Sequence, residues 1–146
     1  MMISIIKNTF LSIGIASATQ WVLSTLNSNY LFEFLKQNID NIQIGLLAIN
    51  TSTLSIILTK LRDLIDSGLP HNTFTSTKKE MFLSIKEQIF LIITSLVILS
   101  LAEAKNLPFL ISVNVFQTIL IACFVYELMI LYDTAKSIFI LLEYKI

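Results

Sequence analysis

Residues 41–59, NIQIGLLAINTSTLSIILT, contain no Lys, Arg, Asp or Glu. Moving one of those side chains into hydrocarbon is the largest single cost in building a bilayer-spanning helix, so long runs without them point to lipid as the solvent. The stretches 8–32, 88–102 and 106–126 share the property. The chain therefore reads as all-α: a polytopic membrane protein with four transmembrane helices and cytoplasmic helical extensions.

Composition agrees. The 146 residues suit one domain, and 55% hydrophobic content with a mean hydropathy of +0.78 exceeds the roughly 45–50% apolar usage of soluble domains. Ten basic and ten acidic residues balance, so global charge implies neither direct nucleic-acid binding nor an acidic substrate. The lone Cys123 cannot form an intrachain disulfide. Lys7, the apolar stretch after it and Ala16-Ser17-Ala18 resemble a secretory signal, but the apolar stretch runs on past Ala18 and reads as a retained first helix.

Helices are expected near 8–28, 42–66, 77–103 and 108–143, of which 8–28, 42–61, 82–103 and 108–127 cross the bilayer and 62–81 and 128–146 are cytoplasmic. The third charge-free run has only 15 residues, so Met81, Phe82, Leu83 and Ile85 extend it backwards while Lys86 snorkels to the interface. Thr77-Lys78-Lys79-Glu80 reads as a capping box that starts this helix in water. Lys7, Lys60, Arg62, Lys78, Lys79, Lys86, Lys136 and Lys145 fall on one side, against Lys36 and Lys105 on the other. The excess places both termini and the middle loop in the cytoplasm. Trp21, Tyr30, Phe32, Phe34 and Phe109 then lie toward the outer face, and Phe82, Tyr126 and Tyr132 toward the inner one. Between the first two spans, Leu31, Phe34, Leu35, Ile39 and Ile42 recur at helical spacing, which suits either a short surface helix or an extension of a span.

Helices two and four outrun the membrane. At 1.5 Å per residue, 108–143 would reach roughly 54 Å against about 30 Å of hydrocarbon. Beyond Glu127 the stripe Leu128, Leu131, Tyr132, Ala135, Ile138, Phe139 and Leu142 needs a partner, and Leu54, Ile57, Leu58, Leu61 and Ile65 form another that ends at Gly68 and Pro70. The two stripes pack on each other as a bundle or dock a cytoplasmic protein or a second copy. Docking candidates are Leu61, Arg62, Ile65, Lys78, Lys79, Leu131 and Phe139.

Inside the apolar runs, Ser17, Gln20 and Ser24 share a face of helix one, Asn50-Thr51-Ser52-Thr53 cluster in helix two, Thr94, Ser95 and Ser100 fall in helix three, and Asn114, Gln117 and Thr118 in helix four. Such residues commonly hydrogen-bond neighbouring helices, at on the order of 1 kcal/mol each. Alternatively Asn50, Thr53, Asn114 and Gln117 line a water-filled path or an oligomer axis. No charge is expected near mid-membrane, with Glu103 and Glu127 at opposite ends of the apolar belt, either solvated or ringing a pore mouth.

Catalytic signatures are missing: no GxSxG elbow, HExxH helix, Gly-rich phosphate loop or CxxC pair occurs. His71, near Asp63 and Asp66, lacks the companions of a dedicated metal site, and Cys123 between Ala122 and Phe124 reads as a small apolar residue. The expectation is a non-enzyme without cofactors.

The order of features, with Leu47-Ala48-Ile49-Asn50-Thr51-Ser52-Thr53-Leu54 running into Lys60-Leu61-Arg62, resembles the small four-helix inner-membrane proteins of bacterial phage-defence systems, the Kiwa membrane subunit and RexB-like proteins. The likeness is one of organisation and transfers no functional residue. It implies an oligomeric membrane scaffold or sensor that recruits or regulates a cytoplasmic effector, or else a pore that depolarises the cell.

Overall fold

The computed structural model describes residues 2–68, 70, 73–104 and 113–143. Expectations for His71, Lys105, Pro108, Phe109, Lys145 and the Leu142 side chain fall outside what is described. Four helices follow one another: α1 Met2–Thr25, α2 Tyr30–Asp66, α3 Thr75–Ala102 and α4 Val113–Glu143. Among the described residues, three are long and apolar enough to cross a membrane: α2, α3 and, within α4, Asn114–Ile140.

The amphipathic segment after α1 is no separate helix. It forms the opening turns of α2, which is continuous over 37 residues, roughly 55 Å at 1.5 Å per residue. Asn27, at φ 48°, turns the chain between α1 and α2, a left-handed conformation that Asn tolerates better than most residues. At the far end Ser67 caps α2 and Gly68, at φ 111°, carries the chain out, as the Gly68 and Pro70 pair led one to expect. The capping box at Thr77 does not form. The helix already starts at Thr75 after Phe74, and its N-cap makes no side-chain hydrogen bond; Thr77 lies inside the helix, where a cap geometry is impossible.

α4 is the hub. It packs against all three other helices, whereas α1 packs on α4 alone, and α2 and α3 pack on each other as an antiparallel pair. Half of the α4 apolar window is buried, against 22% for α2 and 11% for α3. Because α1 leans on α4 only, a cleft lies between α1 and α3 at the end that holds the α1 N-terminus, the α2 C-terminus and the α4 C-terminus.

Polarity is inverted relative to a water-soluble bundle. On α3 the buried residues are Met81, Gln88 and Ser95, seven apart, while Phe82, Ile89, Phe90, Ile93 and Val97 face outward. Exposed hydroxyls of Thr51, Ser52, Ser55, Thr94 and Ser100 each donate to the carbonyl four residues back at 2.8–3.0 Å, leaving no donor to the surroundings. Two apolar clusters close the interior. One joins Ala16, Leu35, Ile39, Leu120 and Ile121; the other joins Leu54, Ile57, Leu61 and Met81, with Phe74, Ile85 and Ile138 against it.

Packing, not burial from water, holds such helices when lipid is the alternative. Leu120→Ala, which opens a cavity in the first cluster, is expected to cost about 2 kcal/mol, the low end for core truncations. Ile56→Ala, on the exterior, is expected to cost about 0.5 kcal/mol or less. Denaturation in mixed micelles checks the contrast, and equal costs would contradict the packing described.

Candidate functional site

Between the two apolar clusters lies a polar band supplied by three helices. Gln43 of α2 donates from Nε2 to the Ser95 hydroxyl of α3 at 2.9 Å. Seven residues further along α2, Asn50 donates from Nδ2 to Gln88 Oε1 at 2.7 Å and to the Ser84 hydroxyl at 3.0 Å. Gln43, Asn50, Gln88 and Ser95 are fully buried. One heptad outward the same seam carries an ion pair, Lys36 Nζ to Glu103 at 2.7 Å. Both partners lie beyond the apolar spans, Lys36 in the polar opening of α2 and Glu103 just past α3. The hydrogen bond from Lys36 holds the Glu103 carboxyl below the usual carboxylate range and in turn raises Lys36.

Glu127 of α4 completes the band. It was expected at the end of the apolar belt; instead it is 0% exposed, and its position is the middle of the 31-residue α4. The reason is helical phase: Leu120, Glu127 and Thr134 recur at seven, so burying the apolar start of α4 on α2 and α3 carries Glu127 inward with it. On the α3 side, Cys123 meets the Ser95 hydroxyl and Asp133 lies near Glu87. This antiparallel register puts Glu127 level with the turn between Gln88 and Ser95. Neither Glu127 oxygen has a hydrogen-bond partner among the described residues, and Gln43 Oε1, Asn50 Oδ1 and Gln88 Nε2 are also buried and unpaired.

Two cavities approach the band from opposite ends. A cavity of about 230 Å³ fills the cleft between α1 and α3, where Asn8, Ser84, Glu80, Glu87 and Asp133 supply its polar wall and Ile130 its inner one. At the far end, Gln20, Asn27, Ser28, Asn29, Asn114 and Gln117 surround about 170 Å³, and Gln20 Nε2 donates to Gln117 Oε1 at 2.6 Å. The first apolar cluster, built from Leu35, Ile39, Leu120 and Ile121, lies between this outer cavity and the band.

The residues singled out in the sequence are dispersed. Asn50 is in the band, Gln117 is buried beside the outer cavity, Asn114 is at its exposed rim and Thr53 is half-buried. Among the docking candidates, Leu61 is buried in the second apolar cluster and so offers no free surface. Ile65, Lys78 and Leu131 are half-buried; Lys79 is exposed, Arg62 is exposed and 3.8 Å from Asp66, and Phe139 is 67% exposed. The inward face of α1 carries Ser12, Ala16 and Gln20, so Ser17 and Ser24, expected to share it, are exposed. Sequence reading missed Gln43 and Gln88 and set Glu127 at the end of the belt, although the heptad pairs Gln43–Asn50, Gln88–Ser95 and Glu127–Thr134 are visible in the chain. Among the described residues no group of three His, Cys, Asp or Glu could hold a metal ion.

No protein-family model, no curated protein and no solved structure matches this chain.

The Gln43–Ser95 contact predicts a measurable coupling. In a double-mutant cycle with Gln43→Ala and Ser95→Ala, the interaction is expected at about 0.5–1.5 kcal/mol, the range of interhelical hydrogen bonds in membrane bundles. Strict additivity would remove that bond from the energetics of the bundle.

Proposed function

We propose that the chain is a four-span bacterial inner-membrane protein, termini in the cytoplasm, acting as an oligomeric scaffold or sensor subunit that recruits or regulates a cytoplasmic effector, in the manner of the phage-defence proteins its organisation resembles. The observation that carries the reading is the sealed interior. A conducting bundle needs a continuous polar path, and here Leu35, Ile39, Leu120 and Ile121 interrupt it, each at most 2% exposed. A polar interior open toward one end suits a unit that changes state better than one that conducts. The described cations agree with the assigned orientation, since Lys7, Lys60, Arg62, Lys78, Lys79, Lys86 and Lys136 belong to helix segments at the end with the cleft, and Lys36 to the other.

Supporting the docking half of the proposal, α4 is about 46 Å long at 1.5 Å per residue, some 16 Å more than the hydrocarbon needs. Its last turns expose Tyr132, Phe139 and Ile140. With Leu61 and Ile138 turned inward, the docking surface contracts to this outer face of α4 together with Arg62 and Lys79. A second reading, a depolarising pore, is favoured by one observation, the buried, unpaired carboxyl of Glu127. It requires that several copies, or a rearranged bundle, bypass the apolar seal.

Two experiments test these assignments. In a Cys123→Ser background, Ser67→Cys is expected to react with a membrane-impermeant maleimide only once the cytoplasmic face is exposed, and Ala104→Cys from the outside; the reverse pattern inverts the topology. Phe139→Asp is expected to leave insertion intact and abolish recovery of whichever cytoplasmic protein co-purifies stoichiometrically with the parent chain. Full recovery of that protein would sink the docking assignment, while ion flux from reconstituted vesicles would favour the pore.

A further inference from the structure

Hydrogen-bond accounting in the polar band does not balance. Four buried acceptors lack a donor, namely Glu127 Oε1 and Oε2, Gln43 Oε1 and Asn50 Oδ1, whereas one buried donor, Gln88 Nε2, lacks an acceptor. A carboxylate keeps its charge in a protein interior only where cations or several donors replace its lost water. None face Glu127. α2 offers the amides of Gln43 and Asn50 and carries no charge between Asp40 and Lys60. α3 offers Gln88 and Ser95, with Glu87 one turn toward the cavity. On α4 itself the titratable neighbours are Cys123, Tyr126 and Asp133, and the one charged residue of α1, Lys7, lies in a groove with Asp133 and Tyr132 on another side of α4.

We propose that Glu127 is a proton-binding site, that it carries a proton in this packed state, and that the proton exchanges through the cavity bounded by Glu80, Glu87 and Asp133. Protonation removes the charge and turns an acceptor-only group into a donor for the surplus amide oxygens. The route has a built-in asymmetry. Ile130, which lines the cavity, is one helical turn from Glu127 on the same face, and Ser84 on the cavity wall accepts from Asn50. About 230 Å³ holds several waters, at about 30 Å³ each, to carry protons to that turn. In the other direction Leu35, Ile39, Leu120 and Ile121 form a buried apolar cluster with no polar group to hold a water. The inference rests on the sensor reading and names its input, a proton arriving from the cleft side.

Infrared spectroscopy of the protein in phosphatidylethanolamine and phosphatidylglycerol bilayers at neutral pH tests it. A protonated-carboxyl carbonyl band is expected in the parent chain, lost in Glu127→Gln and retained in Glu80→Gln, Glu87→Gln and Asp133→Asn. Glu127→Asp, should Glu127→Gln fail to insert, is expected to shift that band. Exchange into D2O is expected to be several-fold faster in Ile130→Ser and unchanged in Leu120→Ser. A helical, bilayer-inserted protein without the band overturns the proton site and leaves the membrane assignment standing. Loss of the band on adding NaCl but not choline chloride overturns the proton in favour of Na⁺, and equal exchange in the two serine variants overturns the route.

Discussion

Asn50 spends both amide hydrogens across one interface, on Gln88 at 2.7 Å and on Ser84 at 3.0 Å, and this contact sets the register of the whole molecule. A shift of α2 against α3 by one turn would break it and, seven residues away, the Gln43–Ser95 bond as well. Lys36 with Glu103 and Ile57 with Met81 continue the ladder above and below, so one seam carries an ion pair, two amide rungs and an apolar contact in turn. Apolar helices slide past one another at little cost when the surroundings are equally apolar; a polar residue at a repeating position is what selects one alignment.

α4 reads that register from the other side. Its face from Leu120 through Glu127 to Thr134 closes the groove between α2 and α3, and its remaining flank receives α1. Glu127 is inward because its neighbours in phase are, and nothing among the described residues bonds its oxygens. A group left this way is expensive, and an expensive group in the middle of a bundle marks the place where the molecule can store a change of state. The acidic cleft approaches it from one end and an apolar cluster bars the other, so the same geometry that disfavours conduction gives the site a direction.

The chain itself announced a good part of this. Charge-free runs marked the apolar body of each helix, though not the opening of α2 through Glu33, Lys36 and Asp40. The stop at Gly68 and Pro70 was legible because a positive φ there suits glycine. The cap at Thr77 was misread because the helix found two further residues upstream, in Thr75 and Ser76, that satisfy helical geometry without it. Of the overhanging stripes, Leu61 faces its own bundle and Phe139 the surroundings, a division that two equally apolar side chains do not reveal on their own.

Amino-acid sequence alone determined that the chain is built of long apolar helices suited to hydrocarbon, three of them so among the described residues, and which stretches carry positive charge, since each follows from the cost of transferring side chains from water. Tertiary structure alone decided which polar residues turn inward. In water, apolar periodicity would have marked the buried face. Here apolar residues occur on every face of α3 and α4, so the phase of α3 is chosen by its hydrogen bonds with α2 and that of α4 by the packing of Leu120 and Ile121, and only the packed bundle shows that Glu127 is carried inward without a bond.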